Sequence, residues 1–93
     1  MKYHLKFTTA YKKGYKRAKK RGLDMDLLDD VVDNLRKGKQ LDVKYHDHPL
    51  HGDFEGFREC HIQPDWLLVY LIENDILTLT LTDTGTHSDI FEE

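Results

Sequence analysis

The stretch "FRECHIQPDWLLVYLIENDILTLTLT", residues 57 to 82, holds three apolar runs separated by two turn signals. Pro64-Asp65 and Asn74-Asp75 punctuate it, so strands are predicted over 57–63, 66–72 and 76–82. Connections this short join only antiparallel neighbours, because a parallel return needs a crossover of about a dozen residues. The run from Trp66 to Ile72 is apolar on both faces, which predicts a central strand covered on one side by helices. In the third strand Leu77, Leu79 and Leu81 are predicted to face inward, and Thr78, Thr80 and Thr82 outward.

Upstream of the meander, periodicity disappears between Gln40 and Phe54 and His, Asp, Pro and Gly accumulate. A loop of that length is expected to carry function and not merely to connect. Before it, Met25, Leu28, Val31, Val32 and Leu35 form a helical stripe that Asp24 can cap and Gly38 can end. Tyr11, Tyr15 and Ala18 define an earlier helix, with Thr8 or Thr9 as N-cap and Gly22 as its stop. Tyr3, Leu5 and Phe7 alternate with His4 and Lys6 as a short first strand. The predicted order is β-α-α-β-β-β, an α+β fold in which a helical hairpin packs on a small antiparallel sheet. At 93 residues, the chain is expected to be one domain, 1–93, around one core.

No apolar run approaches the roughly 20 residues that span a bilayer, and no signal-peptide h-region is present, so no membrane partner and a cytoplasmic location are expected. The single Cys60 builds no disulfide framework. A net charge of -3 argues weakly against nucleic acid, but the charge is segregated. Lys6 to Arg21 is basic without an acid; Gly22 to Leu35 carries aspartates without a base. Such blocks either pair across two helices at the surface or present a basic face to a partner.

Six histidines are many for this length, and several fall where the predicted topology converges. The 57–63 strand places His61 and Glu59 on one face and Arg58 and Cys60 on the other. The turn after it brings Asp65 and Trp66 to the end of that hairpin, and the last strand returns His87 to the same sheet end. Imidazoles can act as base and acid at one pH. Arg58 can clamp a phosphate, and an exposed Trp66 or Phe91 can stack on a base. These parts suit RNA cleavage through the 2′-hydroxyl without metal or other cofactor. The plainer readings are a core role for Trp66, and surface histidines without function at His4, His46 and His51. Zinc would find His46, His48, His61, Asp65 and His87, but no full zinc signature and no cysteine pair is present.

"YHDHPLHG" at 45–52, "FRECHIQPDWLLVY" at 57–70 and "TGTHSDIF" at 84–91 closely resemble the YafQ-type toxins of the RelE/ParE superfamily. The resemblance covers the whole chain in element order. It implies an endoribonuclease that cuts messenger RNA in the ribosomal A site and is held inactive by a DinJ/RelB-like antitoxin, commonly as a heterotetramer. By motif position, it implies acid-base histidines at His48, His61 and His87, a catalytic carboxylate at Asp65, and aromatics at Trp66 and Phe91. Arg58 matches the family's basic residue before the "ECHI" segment, and Arg58 and Lys44 are the expected substrate-binding cations. The chain departs from the pattern at Asp83, where many relatives carry arginine before Thr-Gly-Thr-His. The gyrase-directed ParE branch implies a different activity, without need of a histidine and aspartate cluster.

Overall fold

A computed structural model describes residues 2–73 and 78–91. Strand β1 (His4–Phe7) leads into helices α1 (Thr9–Lys20) and α2 (Met25–Arg36). The two-residue strand β2 (His48–Pro49) precedes β3 (Arg58–Gln63), β4 (Trp66–Glu73) and β5 (Thr78–Gly85), and a short helix α3 (His87–Phe91) ends the described chain. The expected α+β order is present, with β2 and α3 as additions. The Asn74-Asp75 turn, Ile76, Leu77 and the Leu79 side chain lie outside the described part.

The helix limits follow from local chemistry. Thr8 accepts the Tyr11 N–H at 3.0 Å through its side chain, and Asp24 does the same for Asp26 at 3.1 Å, satisfying amides that a helix start leaves unpaired. Gly14, buried in α1, allows the helix to lie directly on β5. A Cβ there would sit 2.2 Å from the Thr84 carbonyl oxygen.

The strand order is β1-β5-β4-β3-β2. The meander β3-β4-β5 is antiparallel, as its short turns require, whereas β1 joins β5 in parallel, His4 opposite Thr78 and Phe7 opposite Leu81. The sheet is thus mixed. No tight turn joins β1 to β5, so local sequence places no constraint on their relative direction.

Two apolar clusters sandwich the sheet. Trp66, Leu68 and Tyr70 of β4, with Cys60, Ile62 and Leu81, pack under α1 and α2 against Tyr11, Ala18, Leu28 and Val31. Leu67 and Val69 point the other way and are covered by Ile90 and Phe91 of α3 with Leu50 and Phe57. β4 is therefore buried on both faces, as its composition requires. The first strand fades toward solvent instead: Tyr3 is buried, but Phe7 is 46% exposed. Between Val69 and Tyr70 the pairing with β5 slips by one residue, from Asp83 to Leu81. This bulge at Thr82 brings Thr84 to the helix side, where it meets Trp66 and Gly14. No helix among the described residues is long and apolar enough to cross a membrane.

Candidate active site

The face of the sheet away from α1 and α2 gathers the histidines. In register, His48 lies opposite Glu59, and His61 opposite Leu67, so all three polar side chains share the face that α3 covers in part. Glu59 is only 3% exposed. One of its oxygens, Oε1, is 3.4 Å from His48 Nε2 and 3.5 Å from His61 Nε2. The Nδ1 of His48 lies 2.6 Å from the His46 carbonyl, and that of His61 3.3 Å from the Pro64 carbonyl. A carbonyl oxygen only accepts, so both Nδ1 atoms carry hydrogen and both Nε2 atoms turn toward the carboxylate. An Nε2 without hydrogen and a carboxylate oxygen both accept, so each contact can hold a hydrogen bond only with a proton between the two atoms, an arrangement chemically able to pass a proton.

His87 reaches this group from the C-terminal helix, its ring 6.2 Å from that of His61. The geometry of the preceding turn places it there. Gly85 has φ +153°, and a Cβ on it would meet Asp89 and Arg17. Thr86 then caps α3: its hydroxyl accepts the Asp89 N–H at 3.1 Å, and its own N–H donates to Asp89 Oδ2 at 3.0 Å. Asp89 is in turn held by Arg21 at 2.8 Å and Arg17 at 3.5 Å. The Arg21 hydrogen bond first, and then the Thr86 contacts and the Arg17 charge, keep its carboxyl well below the usual range. Two cations of the basic helix are thus used inside the molecule, and among the described residues they pair with the tail and not with the aspartates of α2. Phe91 lies 5.7 Å from His87 and 5.0 Å from Phe54, ring to ring.

Three expectations change. Trp66 does not reach a substrate: it is 3% exposed, and its indole N–H donates to the Thr84 hydroxyl at 3.1 Å. That hydroxyl donates onward to the Leu67 carbonyl at 2.7 Å, so the indole braces the strand end from which the tail turns. Arg58 points to the helix side, away from His61. Its guanidinium meets Asp47 at 3.3 Å, and Asp47 also accepts from the Tyr70 hydroxyl at 2.5 Å. The expected phosphate clamp is therefore a clasp on the loop between His46 and His48. Asp65 is exposed at the hairpin turn and shares a shallow groove with Arg21 and Thr86, beside the His87 end of the cluster and not in its middle.

Lys44 remains exposed, its ammonium 5.1 Å from the centre of the Tyr45 ring, at the wall of a cavity that His48 and His61 also line. Asp83 pairs with Val69 and so belongs to the histidine face. Burial pushes its carboxyl up, against the opposing effects of the Thr84 N–H and Arg17. Burial likewise pushes the Cys60 thiol up, which leaves it a packing residue. Sequence reasoning assigned no role to Glu59 or His46. The signal for Glu59 was its alternation with His61, which places both on one face.

Two imidazoles and a carboxylate are donor types that suit transition metals. Among the described residues, however, no three His, Cys, Asp or Glu side chains converge closely enough to hold an ion.

The chain and its fold are similar to known proteins. Residues 3–92 match the YafQ family, described as bacterial toxins of type II toxin-antitoxin systems. The chain is 35% identical over 88 residues to the mRNA interferase toxin YafQ of Escherichia coli strain K12, covering 94% of both chains. It superposes on the toxin in the E. coli DinJ-YafQ toxin-antitoxin complex with a TM-score of 0.87 at 34% identity, over 98% of this chain and 99% of that one. A metal-bound toxin from Helicobacter pylori is similar too, with a TM-score of 0.90 at 43% identity, over 96% and 99% of the two chains. The match along nearly the whole length, on the same fold, shows that this chain belongs to the YafQ family of bacterial toxins of type II toxin-antitoxin systems.

Proposed function

We propose that this toxin is a ribosome-dependent endoribonuclease that cleaves messenger RNA by metal-independent acid-base catalysis. The observation that carries the reading is the pair of Nε2 atoms flanking the buried Glu59, with His87 6.2 Å from His61 on the same face. A neutral imidazole at His48 takes the proton of a ribose 2′-hydroxyl through Nε2, and the alkoxide oxygen attacks the adjacent phosphorus. The bond from phosphorus to the 5′-oxygen breaks, and His87 protonates the leaving oxygen. The products are a 2′,3′-cyclic phosphate and a 5′-hydroxyl, and no atom comes from a cofactor. Glu59 and His61 receive and return the proton, while Asp65, beside Thr86, orients His87.

Phe91 supports a neighbouring base, and Lys44 neutralises phosphate at the rim. The partner is an antitoxin of the DinJ/RelB kind, assembled with the toxin as a heterotetramer. Its acidic segment meets those cations of α1 that the tail leaves free. Dependence on the ribosome agrees with the acidic net charge of -3, since a host that delivers and orients the message relieves the protein of holding RNA by charge alone.

The test is mapping of RNA ends in a reconstituted translation reaction, with protein that elemental analysis shows to be free of bound transition metal. Cuts ending in 2′,3′-cyclic phosphate, absent with naked message and lost by about a hundredfold or more in His87→Ala, are expected. Intact message under all conditions would sink the nuclease reading. It would favour a ParE-like toxin that binds a protein target, the reading that the carboxylate of Asp83 on the histidine face supports.

A further inference from the structure

His48 and His61 form part of the wall of a cavity whose other lining residues the proton transfers do not use. It is an open space of about 830 Å³ between the first turn of α2, the 43–46 turn and the β3-β4 hairpin. A space of that size accommodates a nucleotide. Leu27 and Ile62 give it apolar lining, Lys44, His46 and Gln63 bring polar groups to it, and His48 and His61 line it as well.

His46 is the informative residue. It is the one non-glycine among the described residues with positive φ, at φ 49° and ψ 42°, a conformation that costs energy for a residue with a side chain. The backbone half of this arrangement is accounted for, because the carbonyl holds His48 Nδ1. The ring is not: it lies 5.8 Å from the ring of His61, edge to face, and none of its atoms takes part in the acid-base step. From His46 the rings continue through His61 and His87, 6.2 Å apart, to Phe91, 5.7 Å farther on. The cavity thus takes in the His46 and His61 end of a track of rings, and Phe91 forms the other end.

We propose that this cavity is a nucleotide subsite for the message, taking the residue on the opposite side of the scissile phosphate from the one that reaches Phe91. The inference rests on the nuclease reading and specifies where its substrate is read. The Lys44 ammonium meets the phosphate, the amide of Gln63 and the ring of His46 bond the base edge, and Leu27 and Ile62 receive its apolar surface. The base preference of cleavage on that side of the cut is therefore set here and not at the histidine relay.

Gln63→Ala, Lys44→Ala and His46→Asn are compared with Phe91→Ala in the translation reaction, reading the base composition on both sides of every cut. Asparagine is chosen at position 46 because it tolerates the left-handed backbone that holds His48. Gln63→Ala and His46→Asn should flatten the preference on one side of the cut only and lower kcat/KM by roughly tenfold, mainly through KM. Lys44→Ala should raise KM without altering the preference, and Phe91→Ala should alter the opposite side. Unchanged preference in Gln63→Ala and His46→Asn, with kcat/KM within about twofold of the parent, would overturn the proposal while leaving the nuclease reading intact. Absence of any cut by the parent protein would instead refute that reading. The subsite is then judged by NMR with an RNA trinucleotide whose central 2′-hydroxyl is replaced by hydrogen. Shifts confined to the signals of Lys44, His46 and Gln63 sustain it, and no shifts there remove it.

Discussion

Replacing Asp47 with alanine should destabilise the protein by about 1–4 kcal/mol. The carboxylate accepts from the Tyr70 hydroxyl at 2.5 Å, from Arg58 Nη2 at 3.3 Å and from Arg58 Nε at 3.4 Å. Tyr70 is 1% exposed, so its hydroxyl has no water to turn to when the partner is gone, and leaving such a donor unpaired costs about 1–3 kcal/mol. The Arg58 side chain is 38% exposed, and solvent screening limits that ion pair to about 1 kcal/mol or less. Tyr70→Phe removes the donor and leaves Asp47 with Arg58, so it should cost about 1–2 kcal/mol. In the double variant no unpaired hydroxyl remains, and its loss should be no greater than that of Asp47→Ala alone. Urea denaturation followed by the fluorescence of Trp66, the single tryptophan, measures all three. Because Asp47 lies between His46 and His48, the same substitution should lower cleavage with the folded fraction held constant, and Arg58→Ala should lower it less. Additive losses of the two single variants would refute the clasp. So would a larger fall in cleavage from Arg58→Ala than from Asp47→Ala, which would return Arg58 to the substrate.

Gly14→Ala should destabilise by about 3 kcal/mol or more, because its methyl group would be driven into the Thr84 carbonyl at 2.2 Å and backbone would have to move; a denaturation midpoint like the parent's contradicts the close approach. The depressed carboxyl of Asp89 makes tail docking acid-sensitive: its contribution is complete above a pH of about 4, where the unfolded carboxyl is ionised, and is lost as the pH falls below that. NMR signals of Phe91 should report release of α3 in that acid range, and Asp89→Asn should remove this component of the acid response. Asp83→Asn should raise kcat/KM by roughly fivefold, the effect of removing about 1 kcal/mol of repulsion between like charges from the histidine face. An unchanged rate would show that Asp83 does not face the phosphate.

Much of this was legible before any coordinates, and the part that was not has identifiable causes. Thr8, Asp24, Gly22 and Gly38 announce the helix limits because capping is a local interaction, and β4 announces its centrality because both its faces are apolar. The parallel pairing of β1 with β5 leaves no such mark, since it depends on which edge of a finished sheet is open. The histidines, Trp66 and Arg58 were all singled out by side-chain chemistry and by resemblance, and neither says which face of a strand is covered. Alternation had already separated Arg58 from His61. The exposed Trp66 was the wrong branch of a choice that burial decides, because the bulge at Thr82 supplies the Thr84 hydroxyl that makes a buried indole acceptable.

The pairing of β1 with β5 also governs when the toxin can exist at all. The Thr8 hydroxyl, at the end of β1, donates to the Thr82 carbonyl, a partner 74 residues later, and among the described residues β1 has no other strand beside it. During synthesis the first strand must therefore wait, unpaired, until β5 has been made, since contacts so distant in sequence form late. The same closing segment delivers Thr84, the Gly85 turn and His87. Pairing of the first strand and placement of His87 beside His61 therefore wait for the same segment. A message broken before the codons for this segment would yield a chain lacking both the partner of its first strand and its outermost histidine.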